Sequence, residues 1–260
     1  MEKKNISGQA AVNGISMYYE IHGSGAMPLV LLHGGGSTIE TSFGELLPLL
    51  SAHRKVIAIE LQAHGRTSDR EAPETFTQDA DDVAALLTYL NIARVNILGF
   101  SNGGTTTLQM AIRYPQLVNK MVIVSGAYQR DGFMDGFFDG FANATLANMP
   151  AALQAAFLKV TPDENKLQNM FDKDVARMVN FTDIPDADIG AIKTPALIMS
   201  AHRDVVTVEH NLKMAQLIPG AQLVILPGLH GQFIGEMGMA VPGSTLPGVT
   251  ATLVTEFLKD

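Results

Sequence analysis

Gly99-Phe100-Ser101-Asn102-Gly103 is the stretch around which the chain is organised. The apolar residues 95–98 before it predict a strand, and residues 105–113 after it predict a helix. A serine on such a turn, with glycine two residues before it and two after it, fits the pattern G-x-S-x-G, in which the turn lifts the serine hydroxyl above a sheet. Side chains at the two flanking positions would collide with the strand and the helix, so glycine is needed there. An ordinary strand-to-helix turn with a serine N-cap also fits the pattern, so the rest of the chain has to decide.

The chain has 260 residues, is acidic and contains no cysteine. Its formal net charge of −8 leaves no surplus of lysine and arginine to neutralise phosphates, which argues against nucleic acid as a partner. Disulfides, thiolate catalysis and cysteine-based metal sites are excluded, and the histidines lack the H-E-x-x-H spacing, so no metal is expected. Hydrophobic residues make up 47% of the chain, which suits one large α/β domain or one domain with an insertion.

The start of the chain and its apolar stretches do not predict a targeting segment. The first five residues, MEKKN, are not followed by an apolar segment, so a signal peptide is not expected. No apolar stretch approaches the roughly 18 residues that a bilayer-spanning helix needs. We therefore expect no membrane partner, a cytoplasmic location and a small-molecule substrate, with a homodimer open as an oligomeric state.

Short apolar runs alternate with helical patterns along most of the chain. Residues 9–12 and 15–21 predict a hairpin around Asn13-Gly14. Continuous apolar runs, typical of strands buried on both faces of a parallel sheet, lie at 28–32, 55–59, 95–98, 120–125, 196–200 and 222–226. Helices are predicted at 43–51, 75–90, 105–113, 208–217 and 249–258. The alternation predicts a mostly parallel sheet with helices on both faces.

Residues 128–188 break this alternation. The segment has no strong strand signal and predicts several short helices inserted into a core formed by residues 1–127 and 189–260. Most of its aromatic and methionine side chains are expected to pack against one another. Ligands bind at the carboxyl ends of the strands in such sheets, so some of these side chains should also line a pocket. The candidates are Phe133, Met134, Phe137 and Phe141, together with Phe100 from the serine turn.

A serine hydroxyl needs a base to take its proton, and the base needs a carboxylate that fixes its tautomer. His230 is the candidate base, because it lies on a loop after the predicted strand 222–226. Asp204 is the candidate acid, because it follows the predicted strand 196–200, and Asp131 is the alternative. His202 also ends a strand but has only His210 or its own neighbours to serve. His210 falls in a predicted helix, where an exposed histidine is the usual finding.

Backbone N–H groups aimed at the developing charge would complete such a site. The N–H of Asn102, the residue after the serine, is one candidate donor. The second should come from the glycine run after the predicted strand 28–32, where Gly35 is the first choice and Gly34 the alternative. Three consecutive glycines directly after a buried strand make a plain surface turn a weak explanation.

Taken together, these pieces resemble the α/β-hydrolase fold superfamily, in its branch of small bacterial esterases, lactonases and C–C hydrolase-like enzymes. The resemblance covers nearly the whole chain, and the motifs that carry it, in order, are LLHGGG at 31–36, HGRTSD at 64–69, GFSNGG at 99–104, Asp204 and PGLHG at 227–231. It implies an eight-stranded sheet, a helical cap at residues 128–188 and a catalytic triad of Ser101, Asp204 and His230.

The resemblance implies a cofactor-free serine hydrolase that cleaves a carboxylic ester, thioester or lactone of a small to medium apolar substrate through an acyl-enzyme. Three alternatives stay open: a non-catalytic or very slow ligand receptor, an acyltransferase and a C–C bond hydrolase. Dehalogenases and epoxide hydrolases of this fold are disfavoured, because they would need aspartate at position 101. Asn102 stands where the branch more often has an apolar residue, and His202 replaces an acidic or small residue, so the natural substrate stays open.

Overall fold

The structure is a computed structural model that describes residues 6–259; the first five residues, on which the signal-peptide expectation rests, lie outside the described part. Its strands are β1 (Ile6–Val12), β2 (Ile15–His22), β3 (Leu29–Leu32), β4 (Val56–Ile59), β5 (Val95–Phe100), β6 (Val118–Val124), β7 (Ala196–Arg203) and β8 (Gln222–Leu229). Its α-helices are α1 (Ile39–Phe43), α2 (Leu46–Ser51), α3 (Phe76–Tyr89), α4 (Asn102–Arg113), α5 (Ala151–Val160), α6 (Glu164–Val179), α7 (Asp186–Ala191), α8 (Val208–Leu217) and α9 (Leu246–Phe257).

The eight strands form one sheet in the order β1-β2-β4-β3-β5-β6-β7-β8. β1 and β2 pair as an antiparallel hairpin, whose turn residues Asn13 and Gly14 both have positive φ. β2 runs antiparallel to β4, and all remaining pairs are parallel. The predicted mostly parallel sheet is therefore confirmed, with the hairpin at one edge.

Two hydrophobic layers cover the sheet. Successive residues of β3 point to opposite faces, so Val30 and Leu32 join one layer and Leu29 and Leu31 join the other. The first layer packs under α3, α4, α7 and α8, and the second packs under α1, α2 and α9. Because both faces are covered, the strands are apolar without interruption, which is the pattern that made them predictable.

The predicted and observed boundaries differ for several elements, most clearly for the helix predicted at 43–51 and the strand predicted at 222–226. The helix predicted at 43–51 corresponds to α2, and a separate short helix, α1, precedes it with Gly44 and Glu45 in between. The strand predicted to end at residue 226 continues through Pro227, Gly228 and Leu229 as β8, because Leu229 still pairs with Arg203 across a register shift. The side chain of Thr75 caps α3 by accepting a hydrogen bond from the Gln78 N–H, the usual role of a threonine at a helix N-cap.

The inserted segment, residues 128–188, holds α5, α6 and three short 3₁₀ turns (Arg130–Gly132, Phe137–Gly140, Leu146–Asn148). Its predicted end at residue 188 falls inside α7, whose Ile189 packs into the main core beneath the sheet. Near its start, Met134 N–H donates to the Val205 carbonyl and Thr207 N–H donates to the Gly132 carbonyl, both at 2.8 Å. This short bridge ties the insert to the loop after β7.

No helix within residues 6–259 combines the length and the apolar character that crossing a membrane requires.

Candidate active site

Ser101 lies on a sharp turn between β5 and α4. Its φ of 54° and ψ of −117° form a backbone conformation that residues other than glycine rarely adopt. A Cβ on Gly99 would lie 2.0 Å from the Gly103 carbonyl oxygen, and a Cβ on Gly103 would lie 2.2 Å from the Leu32 carbonyl oxygen. Both glycines are therefore required by close approach of the backbone, as the sequence pattern predicts. The turn holds the serine in a strained conformation that the packing around it sustains.

His230 reaches Ser101 from the loop after β8. Its Nε2 lies 3.0 Å from the Ser101 Oγ, within hydrogen-bond distance. Gly231 follows with φ 72°, which turns the chain directly behind the histidine. The Phe100 ring packs against the imidazole with a centroid distance of 4.9 Å and fixes its tilt.

Asp204 lies beyond His230, with its Oδ1 2.6 Å from the His230 Nδ1. Its Oδ2 accepts hydrogen bonds from the Ser125 hydroxyl at 2.5 Å, the Ser200 hydroxyl at 3.2 Å and the Ala201 N–H at 3.2 Å. Burial alone would raise the pKa of this carboxyl, but its hydrogen bonds and the nearby imidazole lower it to about 2. The carboxylate is therefore ionised and fully hydrogen-bonded beside the histidine.

The structure does not bring the alternative acid, Asp131, to this position. Asp131 is exposed on the 3₁₀ turn Arg130–Gly132, on the side of His210. The carboxylate at hydrogen-bond distance from the His230 Nδ1 is that of Asp204.

Separate hydrogen bonds hold the successive peptide groups of the glycine loop after β3. Gly34 N–H donates to the Ser42 Oγ at 3.3 Å, and His33 Nδ1 lies 2.7 Å from the Gly34 carbonyl oxygen. Leu61 N–H donates to His33 Nε2 at 3.0 Å, so Nδ1 carries the proton and donates to Gly34. Burial lowers the pKa of His33 to about 3, and the ring is neutral, as this hydrogen-bond pattern requires.

This arrangement orients the N–H of Gly35. A trans peptide is planar, so the Gly34 carbonyl and the Gly35 N–H point in opposite directions, and the hydrogen bond from His33 sets both. In the part of the chain that the structure describes, neither the Gly35 N–H nor the Asn102 N–H has a protein acceptor. Gly34, the alternative donor, is already engaged with Ser42. Gly35 and Asn102 line one cavity together with Ser101.

That cavity has a volume of about 410 Å³ and runs between the sheet and the insert. Phe133, Phe137 and Phe141 line it, whereas Phe100 and Met134 do not. Phe100 is buried beneath His230, and Met134 points outward with half of its surface exposed. The other apolar lining residues come mostly from the second half of the insert and include Met149, Leu153, Met170, Phe171, Val175 and Met178.

The sequence does not predict the charged pair that Asp174 and His64 form beside this cavity. Asp174 of α6 lines the cavity, and its Oδ2 lies 2.9 Å from the Nε2 of the buried His64. Burial would lower the pKa of His64, but Asp174 and Glu74 raise it to about 9. His64 belongs to a motif that the sequence singles out, but its partner lies 110 residues away, so no local spacing links the two.

The two remaining candidate histidines have structural partners. His202 Nδ1 accepts a hydrogen bond from the Gly228 N–H at 3.1 Å. The expectation that His210 is exposed is wrong: it is buried, its Nε2 accepts from the Tyr128 N–H at 3.2 Å, and burial lowers its pKa to about 4. Within the described residues no group of three or more His, Asp or Glu side chains is placed to hold a metal ion.

A protein-family model described as alpha/beta hydrolase fold matches residues 27–181. Human Serine hydrolase BPHL is 29% identical over 246 residues, which cover 88% of this chain and 83% of that protein. Among solved structures, the enol-lactonase from Burkholderia xenovorans LB400 superimposes with a TM-score of 0.75 at 23% identity, covering 97% of this chain and 100% of that one. A serine hydrolase involved in carbazole degradation reaches a TM-score of 0.79 at 23% identity, with 98% and 99% covered.

Proposed function

The chain belongs to the α/β-hydrolase fold family, and from that premise we propose that it is a serine hydrolase that cleaves a carboxylic ester, thioester or lactone through an acyl-enzyme. The observation that carries the proposal is the continuous line of hydrogen bonds from the Ser101 Oγ through His230 to Asp204, at 3.0 and 2.6 Å. A hydroxyl, an imidazole and a buried carboxylate in this order are the parts that nucleophilic attack on a carbonyl needs.

In the proposed reaction, the Ser101 Oγ attacks the carbonyl carbon while His230 Nε2 takes the hydroxyl proton. Asp204 holds the Nδ1 proton and stabilises the imidazolium that forms. The N–H groups of Gly35 and Asn102 receive the negative charge of the tetrahedral intermediate. His230 then protonates the leaving group, and a water molecule that it activates hydrolyses the acyl-enzyme.

The cavity favours a small to medium apolar substrate. Aromatic, leucine and methionine side chains form most of its wall, and about 410 Å³ matches a ligand at the small end of the usual range for such pockets. The similar proteins described above, an enol-lactonase and two serine hydrolases, have names that agree with this reaction class.

The test is covalent labelling of the protein with a fluorophosphonate probe, peptide mass spectrometry to find the labelled residue, and turnover of p-nitrophenyl acetate and butyrate. We expect an adduct on Ser101 and rapid ester turnover, both lost in Ser101→Ala because the attacking oxygen is gone. Ser7→Ala, which removes an exposed hydroxyl from β1, is the matched control and should keep both.

Two results would count against the proposal. Near-full turnover by Ser101→Ala would remove Ser101 from the reaction. An adduct on Ser101 with almost no turnover of any ester would instead favour the ligand-receptor alternative.

A further inference from the structure

A carboxylate from the insert lies directly against the glycine loop of the site. Asp174 Oδ2 accepts the Gly36 N–H at 2.5 Å, and Asp174 Oδ1 lies 3.4 Å from the Asn102 side-chain nitrogen. We propose that Asp174 is a positioning residue, which holds in place the two segments whose N–H groups, at Gly35 and Asn102, stabilise the oxyanion. This inference rests on the proposed function.

Asp174 completes a set of hydrogen bonds that hold consecutive peptide groups of the glycine loop. Ser42 holds the peptide before Gly34, and His33 holds the one between Gly34 and Gly35. The next peptide, between Gly35 and Gly36, is held on its N–H side by Asp174, with Ser37 Oγ donating to its carbonyl at 3.3 Å. Gly36 has φ 65°, so this loop turns through a left-handed conformation that needs such external support.

The pairing of Asp174 with His64 stabilises the hydrogen bond that Asp174 accepts from the Gly36 N–H. Asp174 is paired with His64, whose side chain is almost wholly buried, and His64 Nδ1 in turn lies 2.8 Å from the Gln62 carbonyl oxygen. A carboxylate that accepts charge-assisted hydrogen bonds from two directions has little rotational freedom. A negative charge beside a developing oxyanion would oppose the reaction, but the adjoining His64 cation balances it.

Ion pairs on both sides of Asp174 hold its helix, α6, against the core. One turn further along α6, the buried Arg177 pairs with Glu74 at 2.7 Å and with Asp79 at 3.1 Å. On the other side, Lys173 Nζ donates to Asp69 Oδ1 at 2.6 Å. These contacts bind α6 to the core on both sides of Asp174. The insert therefore covers the cavity and also places the Asp174 carboxylate against the glycine loop.

The experiment compares Asp174→Ala, Asp174→Asn and the matched control Asp172→Ala, an exposed carboxylate on the same helix, in ester turnover. Loss of an oxyanion donor costs about 10²–10³ in kcat, and displacing one should cost less. We expect Asp174→Ala to lower kcat about 10–100-fold with KM nearly unchanged. Asp174→Asn should recover most of that loss, because its amide oxygen still accepts the Gly36 N–H. Asp172→Ala should equal the wild type.

A second measurement separates positioning from folding. A trifluoromethyl ketone adds to the Ser101 Oγ, His230 takes the proton, and the resulting oxyanion occupies the same N–H groups. Its inhibition constant should rise in Asp174→Ala by the factor that kcat/KM loses, and should be restored in Asp174→Asn. If Asp174→Ala does not fold by circular dichroism, Asp174→Ser, whose hydroxyl is too short to reach Gly36, takes its place with the same expected values.

Three results would overturn the inference. An unchanged kcat in Asp174→Ala would show that the loop needs no support from α6. A rise in KM that Asp174→Asn does not restore would make Asp174 a substrate-binding charge instead. A wild-type protein that neither labels at Ser101 nor turns over esters would overturn the proposed function together with this inference, whereas the first two results leave the proposed function standing.

Discussion

Asp204 shows at the residue scale why one carboxylate and not another serves His230. Its Oδ2 is held by the Ser125 and Ser200 hydroxyls and the Ala201 N–H, which leaves Oδ1 aimed at the His230 Nδ1. Ser125 directly follows β6 and Ser200 lies within β7, so the sheet itself orients the acid. An aspartate on an exposed turn such as Asp131 has no comparable support.

Asp204→Asn should therefore lower kcat for p-nitrophenyl butyrate on the order of 10⁴-fold, because an amide facing the Nδ1 favours the wrong imidazole tautomer. Steady-state kinetics on the purified variant measures this directly. Asp131→Asn is the control and should retain wild-type kcat. A large loss in Asp131→Asn, with little loss in Asp204→Asn, would reverse the assignment of the acid.

Residues that a local sequence pattern marks could be predicted, whereas a residue whose contacts lie far along the chain could not. Ser101 is marked by its glycines, and Asp204 and His230 by their places after apolar strands, and the structure brings these three side chains to hydrogen-bond distance. Their catalytic roles stay predictions until they are tested. Asp174 meets Gly36 across 138 residues of chain, in a segment whose helices gave no hint of which face turns inward.

At the scale of elements, α6 is the helix that joins the insert to the core through charge. His64 lies beneath it and is surrounded by Asp174, Glu74, the neighbouring His33 ring at 4.8 Å and, more distantly, Arg177. Its pKa is raised to about 9, although burial would lower it, because the carboxylates favour the imidazolium. The ion pair between His64 and Asp174 therefore depends on pH.

The sign follows from proton linkage. An unfolded histidine loses its proton near pH 6.5 and the folded His64 near pH 9, so the stabilisation is complete below 6.5 and is lost as the pH rises through 9. Between pH 7.5 and 9 the free energy of unfolding should fall by at most about 1.4 kcal/mol per pH unit, the limiting slope for one proton. Urea denaturation at several pH values measures this slope.

His64→Gln is the comparison for that series, because it removes the titrating group and should flatten the slope in this range. His33 and His210 do not interfere, since their folded pKa values are lowered to about 3 and about 4 and both are neutral in either state at these pH values. A wild-type slope that His64→Gln leaves unchanged would assign the pH dependence to other groups.

Elements were predicted well where both faces of the sheet are covered and poorly where glycine interrupts the chain. The strands from β3 to β8 were recognised as apolar runs, although β8 continues three residues beyond its predicted end. The start of the insert gives only 3₁₀ turns, because Gly132, Gly136 and Gly140 disfavour longer helices. Its aromatic side chains pack as a cluster with Phe76, Met178 and Phe181.

At the scale of the whole molecule, the insert has two halves of different character. The first half consists of short turns carrying half-exposed aromatic side chains, and it meets the core at the bridge near Phe133 and Val206. The second half contains α6 with its buried ion pairs. The wall of the cavity draws on both halves, so a ligand would lie between a firmly held side and a loosely held one.

Hydrogen–deuterium exchange followed by mass spectrometry should resolve these halves. Amides of α6 should exchange as slowly as those of the sheet, and amides of residues 136–148 should exchange fastest within the insert, because few buried contacts hold them. A covalent fluorophosphonate adduct should slow exchange in residues 136–148 and leave α6 unchanged. Equal exchange rates in both halves would contradict this division.

The contact between Asp174 and Gly36 also bears on how such an enzyme can diversify. If the insert only covered the cavity, it could be exchanged whole between relatives, in evolution or by engineering. Such an exchange would change selectivity without affecting the proposed catalytic groups beneath it. Here α6 and the glycine loop share a hydrogen bond, so an exchange of the insert would also change the support of that loop. We expect substitutions that change substrate range mainly in the turns of residues 136–148, which line the cavity through Phe137 and Phe141.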